Sequence, residues 1–131
     1  MTSLNDWIAE LRATVHARPR GWATREDLAQ VDGALAAHPA SVDLWLLRGD
    51  LIQLSEECED MPPLVEALRS YQNAAQLAPE RPEPHMAIGH YLDAVDDDPR
   101  GAIPWFQKAV ELGGGDVARA ALAAAKAQLE T

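Results

Sequence analysis

Apolar residues recur at helical spacing along the whole chain, in stretches cut by proline and glycine. Leu4, Ile8, Leu11 and Val15 share one helical face, with Trp7 beside them. The breakers fall at regular intervals: Pro19-Arg20-Gly21, Pro39, Pro62-Pro63, Pro79 to Pro84, Pro99 to Gly101 and Gly113-Gly114-Gly115. Between them the spacing predicts seven helices, over roughly 3–17, 24–38, 41–57, 63–78, 83–96, 100–112 and 116–130. Thr24 and Ser41 stand at N-cap positions, with Glu26, Asp27 and Asp43 in the first turns, where acids suit the helix dipole. Asp98 is the expected cap of the sixth helix. Pro63 and Pro82 or Pro84 fall in first turns, where a helix tolerates proline. Pro104 lies deeper and is expected to soften or bend the start of its helix. No β alternation of useful length is present, so the expected fold class is all-α.

One helical pattern is written twice, 35 residues apart: Ala67-Leu68-x-x-Tyr71-Gln72-x-Ala74-x-x-Leu77 recurs as Ala102-Ile103-x-x-Phe106-Gln107-x-Ala109-x-x-Leu112. The helix before each copy carries a large residue and then a glycine: Trp45 and Gly49, then His85 and Gly89. The glycines and the alanines let paired helices approach closely. Tyr71 and Phe106 are expected to fill the space between successive hairpins. A weaker copy lies upstream, with Leu28, Val31, Ala34 and Pro39 in the places of Leu68, Tyr71, Ala74 and Pro79.

At these residues the chain resembles the tetratricopeptide repeat family, which stacks helix–turn–helix units of about 34 residues. The resemblance covers residues 41–113 well and 3–39 poorly. It implies one helical domain, a right-handed superhelical stack of hairpins: a degenerate hairpin at 3–39, a repeat with an extended turn at 41–79, a repeat at 82–113, and a capping helix at 116–130. The alternative is a helical bundle without repeats. In such stacks the first helix of each unit lines a concave groove. By alignment that lining is Asp43, Leu46, Asp50 and Gln53, then Glu83, Met86, His90 and Asp93. The Lys, Asn and Arg with which some members grip a peptide carboxylate are missing here.

Charge gives the groove a direction. The net charge is −10, and most of it lies in residues 39–98, with thirteen acids against three arginines. A nucleic-acid partner is disfavoured, because binding needs a basic stripe. A basic protein or peptide is favoured, and acid that merely keeps the chain soluble is the plainer reading. The expected role is a protein-binding adaptor with an acidic groove floored by Leu46 and Met86. The alternatives are a dedicated chaperone or immunity-type protein masking one basic effector, or a structural subunit of a larger assembly.

Chemistry finds little support in the pattern. Ser, His and Asp residues occur without triad spacing, and no phosphate loop follows a strand, so neither a catalytic residue nor a cofactor is expected. His85 and His90 are five apart, and Asp96-Asp97-Asp98-Pro99 lacks the alternation and glycine of a calcium loop, so no metal is expected. The lone Cys58 lies among acids, which make a poor nucleophile of it. It cannot form an internal disulfide, and no signal peptide or apolar span is visible, so a cytoplasmic location without membrane insertion is expected. Three further features are candidate contact surfaces: the acidic 55–63 insertion, Trp105, and the Arg18–Trp22 turn, which could support a weak homodimer.

Overall fold

The computed structural model describes residues 2–55 and 61–130. Its regular elements are seven α-helices: α1 Leu4–His16, α2 Arg25–Ala37, α3 Val42–Gln53, α4 Val65–Leu77, α5 Pro82–Ala94, α6 Pro99–Glu111 and α7 Gly115–Gln128. The chain is therefore all-α, as the periodicity predicts. Among the described residues the sole β feature is an isolated bridge between Ala23 and Ser55.

That bridge explains the largest departure from the expected boundaries. The periodicity predicts a third helix reaching residue 57, but α3 stops at Gln53. The Leu54 carbonyl, which a longer helix would use in its own next turn, instead accepts the N–H of Ala23 at 3.0 Å. The rest of that stretch, Glu56 to Asp60 with Cys58 and most of the acidic insertion, lies outside the described residues.

The caps follow the sequence. Ser3, Ser41 and Asp98 each accept a hydrogen bond from the backbone N–H three residues on. Thr24 and Asp27 form a complete capping box at the start of α2. Pro82 and Pro99 occupy first-turn positions. The sixth helix is continuous through Pro104.

The chain divides into two compact units, Met1–Leu77 and Ala78–Thr131. In the first, α3 is the centre. It packs closely against α4 and also meets α1 and α2, whereas α1 and α2 do not approach each other closely. Ile8, Leu11, Val15, Val31 and Leu35 bring their side chains onto Leu44, Leu47 and Leu51 of α3. No glycine interrupts this bulk on the α1 side, so those two helices stay apart. Arg48 of α3 ties the remaining helices together, donating to Asp32 of α2 at 2.9 Å and to Ser70 of α4 at 2.8 Å.

In the second unit α6 is the centre, flanked by α5 and α7. Ala102, Phe106 and Ala125 form its buried cluster. The α6–α7 turn is closed by Gly113 at φ +90°, and the Gly114 N–H returns to the Ala109 carbonyl at 2.9 Å. This is the αL-plus-long-bond pattern that ends many helices.

Both hairpins are built on one device. The Tyr71 ring of α4 lies against Gly49 of α3, and the Phe106 ring of α6 against Gly89 of α5. A Cβ at residue 49 would fall 2.7 Å from Tyr71 Cζ, and one at residue 89 would fall 2.7 Å from Phe106 Cδ1. Each ring thus fills a space inside its own hairpin, and the Phe106 ring also shares a buried cluster with Ala125 of α7. Glycine is required there because the aromatic carbon occupies the volume a methyl group would need.

A second device is also shared. Trp45 Nε1 donates to the Pro39 carbonyl at 3.0 Å, and His85 Nε2 lies 2.9 Å from the Pro79 carbonyl, each six residues back. The Pro79 oxygen can only accept, so Nε2 of His85 carries the proton. An indole has no second ring nitrogen to satisfy. His85 does, and its buried Nδ1 has no partner among the described residues.

Glycine positions with different surroundings should respond oppositely to one substitution. Gly49→Ala is expected to destabilise the fold by about 1–3 kcal/mol, because the buried Tyr71 ring is held by its hydroxyl and cannot retreat. Gly33, in the middle of α2, faces open space, with nothing within 4 Å of the position a Cβ would take. Gly33→Ala is expected to stabilise by about 0.5–1 kcal/mol. Urea unfolding followed by circular dichroism measures both.

Candidate partner-binding faces

Asp43, Leu46, Asp50 and Gln53 recur at helical spacing, so α3 carries them on one stripe. They do not form an open acidic floor. Leu46 is buried and offers little apolar surface. Asp50 is the hub of a network. Its Oδ2 accepts Arg12 Nη1 of α1 at 2.6 Å, and its Oδ1 accepts the Tyr71 hydroxyl of α4 at 2.6 Å. Gln53 Nε2 donates to the same hydroxyl at 2.7 Å. Burial, and then the Asp50 charge and hydrogen bond, push the Tyr71 phenol well above its ordinary range, so it stays a neutral donor. Asp43, half-buried in the first turn of α3, is engaged within the chain as well.

Arg12 and Asp50 each keep over a third of their side-chain surface exposed, at 37% and 36%. The contact between Arg18 and Asp27 in the same unit is built differently. Arg18 grips Asp27 with two bonds, at 2.5 and 3.0 Å, and the Asp27 side chain is only 6% exposed. Arg18 also donates to the Trp22 carbonyl at 2.9 Å, so one guanidinium pins the 17–24 turn to the first turn of α2. The hydrogen bonds from Arg18, with those from Thr24, hold the Asp27 carboxyl at about 2. Trp22 remains partly exposed, with Arg20 over its ring at 4.8 Å. Arg18, a candidate contact for a second copy, is committed inside its own chain.

The α5 stripe is more open. Glu83 is exposed, 3.5 Å from the Arg81 guanidinium. Met86 is half-buried against the Ala102–Phe106 cluster. His90 is exposed, its ring edge-on to Phe106 at 5.0 Å. Asp93 accepts Gln128 Nε2 of α7 at 3.1 Å. Val117, in the first turn of α7, lies beside Pro82, Glu83 and Met86 in the first turn of α5. The two helices thus meet at two places, near their starts across a shared cleft and near their ends through Asp93 and Gln128.

Where their first turns meet, a cleft of about 390 Å³ is lined by Pro82, Glu83, Met86, Gly113, Gly114 and Val117. Val117 is 69% exposed, an uncovered apolar side chain beside an exposed carboxylate. Trp105 is not an exposed anchor; it is half-buried and stacks on His85 at 5.7 Å.

Sequence alignment named Glu83 and Met86 but missed two neighbours of the stripes. Arg12 reaches Asp50 across 38 residues, and no local pattern marks that pairing. Val117 is one of the few larger apolar residues of the last helix, yet α7 buries its alanines, Ala118 and Ala125, and leaves Val117 outside. A larger cleft, about 570 Å³ and lined by Trp45, Arg48, Arg69 and Gln72 among others, was also not anticipated. Trp45 and Arg48 lie on a different side of α3 from Leu46 and Asp50, as their spacing requires.

No group of three or more His, Cys, Asp or Glu among the described residues is placed to hold a metal ion. No helix among them is long and apolar enough to cross a membrane. Compared with protein-family models and with curated proteins, the chain matches none.

The two ion pairs should separate on substitution. Asp27→Ala removes a cap and the partner of Arg18, and is expected to cost about 2 kcal/mol near neutral pH. The Asp27 carboxyl titrates lower in the folded than in the unfolded chain, near 2 against 3.8. Its contribution is therefore complete above the unfolded value and is lost as pH falls through the folded one. The difference between wild type and Asp27→Ala in urea midpoints should shrink across that acid window. Arg12→Gln, at an exposed single-bond contact, is expected to cost under about 1 kcal/mol.

Proposed function

We propose that this chain is a tetratricopeptide-like binding module that holds a basic amphipathic segment of another protein and performs no chemistry of its own. The observation that carries the reading is the cleft between the first turns of α5 and α7. It sets an apolar wall, Met86, Pro82 and Val117, beside the Glu83 carboxylate. That is the complement of a segment with an apolar side chain next to a Lys or Arg. The stripe continues along α5 through His90 to Asp93, about 15 Å from Glu83 at the helical rise. A chain of net charge −10 draws such a segment in over distance.

The acid of the α3 stripe supports the reading less directly, since Asp50 is already paired. A Lys substitution at Asp50 would set an ammonium against Arg12 and strip the Tyr71 hydroxyl of its acceptor, so it tests folding as much as binding. Val117 and Glu83 are the cleaner probes because both are exposed.

Fluorescence titration with a labelled Leu/Arg amphipathic peptide, beside a Leu/Glu peptide of the same pattern, tests the proposal. Wild type is expected to bind the basic peptide alone, and more weakly as salt rises. Val117→Asp and Glu83→Lys are each expected to lower affinity about tenfold with helicity unchanged. Equal binding by wild type and both variants would remove the cleft as the site. Failure of wild type to bind the basic peptide would remove the reading.

A further inference from the structure

The two oxygens of Asp50 are held differently. Its Oδ1 is fixed from below by the Tyr71 hydroxyl, which Gln53 in turn holds, so α4 sets the orientation of a carboxylate carried on α3. Its Oδ2 is left to a guanidinium, and Arg12 supplies one through a single nitrogen at 2.6 Å. Arginine binds carboxylates best through two parallel bonds, as Arg18 does at Asp27. Arg12 makes one, from a side chain more than a third exposed, to a carboxylate equally open to solvent. Contacts of that kind are individually weak. The Arg18 pair is closed by comparison, with its carboxylate almost wholly covered.

We propose that Arg12 is an internal competitor: it occupies the Asp50 site in the unbound chain, and an arginine of a basic partner takes its place. This rests on the reading that the chain binds a basic segment, and adds to the α5–α7 cleft a second, separate contact of the same chemistry within the Met1–Leu77 unit. The preferred ligand group is a planar guanidinium, because that is the group the site already accepts. The displaced Arg12 remains on the face as a positive charge, so affinity is held below what the acidic surface alone would give.

The experiment is a double-substitution cycle read by titration with the same Leu/Arg peptide and with a Leu/Lys peptide of identical pattern. Arg12→Gln is expected to tighten binding of the Leu/Arg peptide about two- to fivefold, the range set by the worth of an exposed ion pair. The gain with the Leu/Lys peptide should be smaller. Asp50→Asn keeps an oxygen for the Tyr71 hydroxyl but removes the charge, and in that background Arg12→Gln should give no gain. Arg69→Gln removes a distant exposed positive charge of the same unit, and a gain equal to that of Arg12→Gln would reduce the effect to net charge and overturn the proposal. Unchanged or weaker binding by Arg12→Gln, with wild type still binding, would overturn the competitor and leave the binding module standing. Binding by neither wild type nor Arg12→Gln would overturn both. Circular dichroism on each variant separates loss of fold from loss of binding.

Discussion

An aromatic ring lies too close to the place of a Cβ at residue 49 for one to fit, and the same is true at residue 89. The close approach of two helices through a missing side chain is the constraint from which the other contacts of each hairpin follow. It brings α3 near enough to α4 for Arg48 to reach Ser70 and for Asp50 to reach the Tyr71 hydroxyl. It brings α5 near enough to α6 for His90 to meet the edge of Phe106 and for His85 to stack on Trp105. Alanines at 67, 74, 102 and 109, all fully buried, keep the approach open along the helices. Small against large is how interiors reach close packing without voids.

The cost of that geometry shows where the two hairpins differ. Both join the ring of residue 45 or 85 to the carbonyl of the proline six residues earlier. Tryptophan meets this role with one N–H and an apolar remainder. Histidine meets it with one nitrogen and strands the other in the interior. The second hairpin also differs at the start of α5, where Val117 of α7 lines a shared cleft and stays in the open. An unburied apolar residue beside an unburied carboxylate supports a binding role better than a bare excess of acid does, because acid alone also serves solubility.

Acids that look alike in the sequence have unlike roles. Asp27 is a cap and one half of a covered pair, and its carboxyl titrates low because arginine and backbone donors favour its charge. Asp50 orients a buried phenol and holds an exposed arginine. Asp93 meets an amide, Asp98 caps a helix, and Glu83 faces solvent beside a cleft. A count of charges gives the sign of the surface field. It does not tell which carboxylates a partner can reach.

The sequence alone determined the seven helices and most of their side-chain caps, because these depend on spacing and on residue type within a short stretch of chain. Gly49, Tyr71, Gly89 and Phe106 were legible as small and large members of a repeat. Tertiary structure alone decided that each ring closes its own hairpin, that α3 ends at Gln53, and that Arg12 reaches Asp50. A guanidinium 38 residues away leaves no trace in local periodicity. A helix end set by the N–H of Ala23, 31 residues before Leu54, leaves none either. The face that α7 turns outward was equally hidden, because an alanine-rich helix has little difference in side-chain bulk from which its buried side can be read.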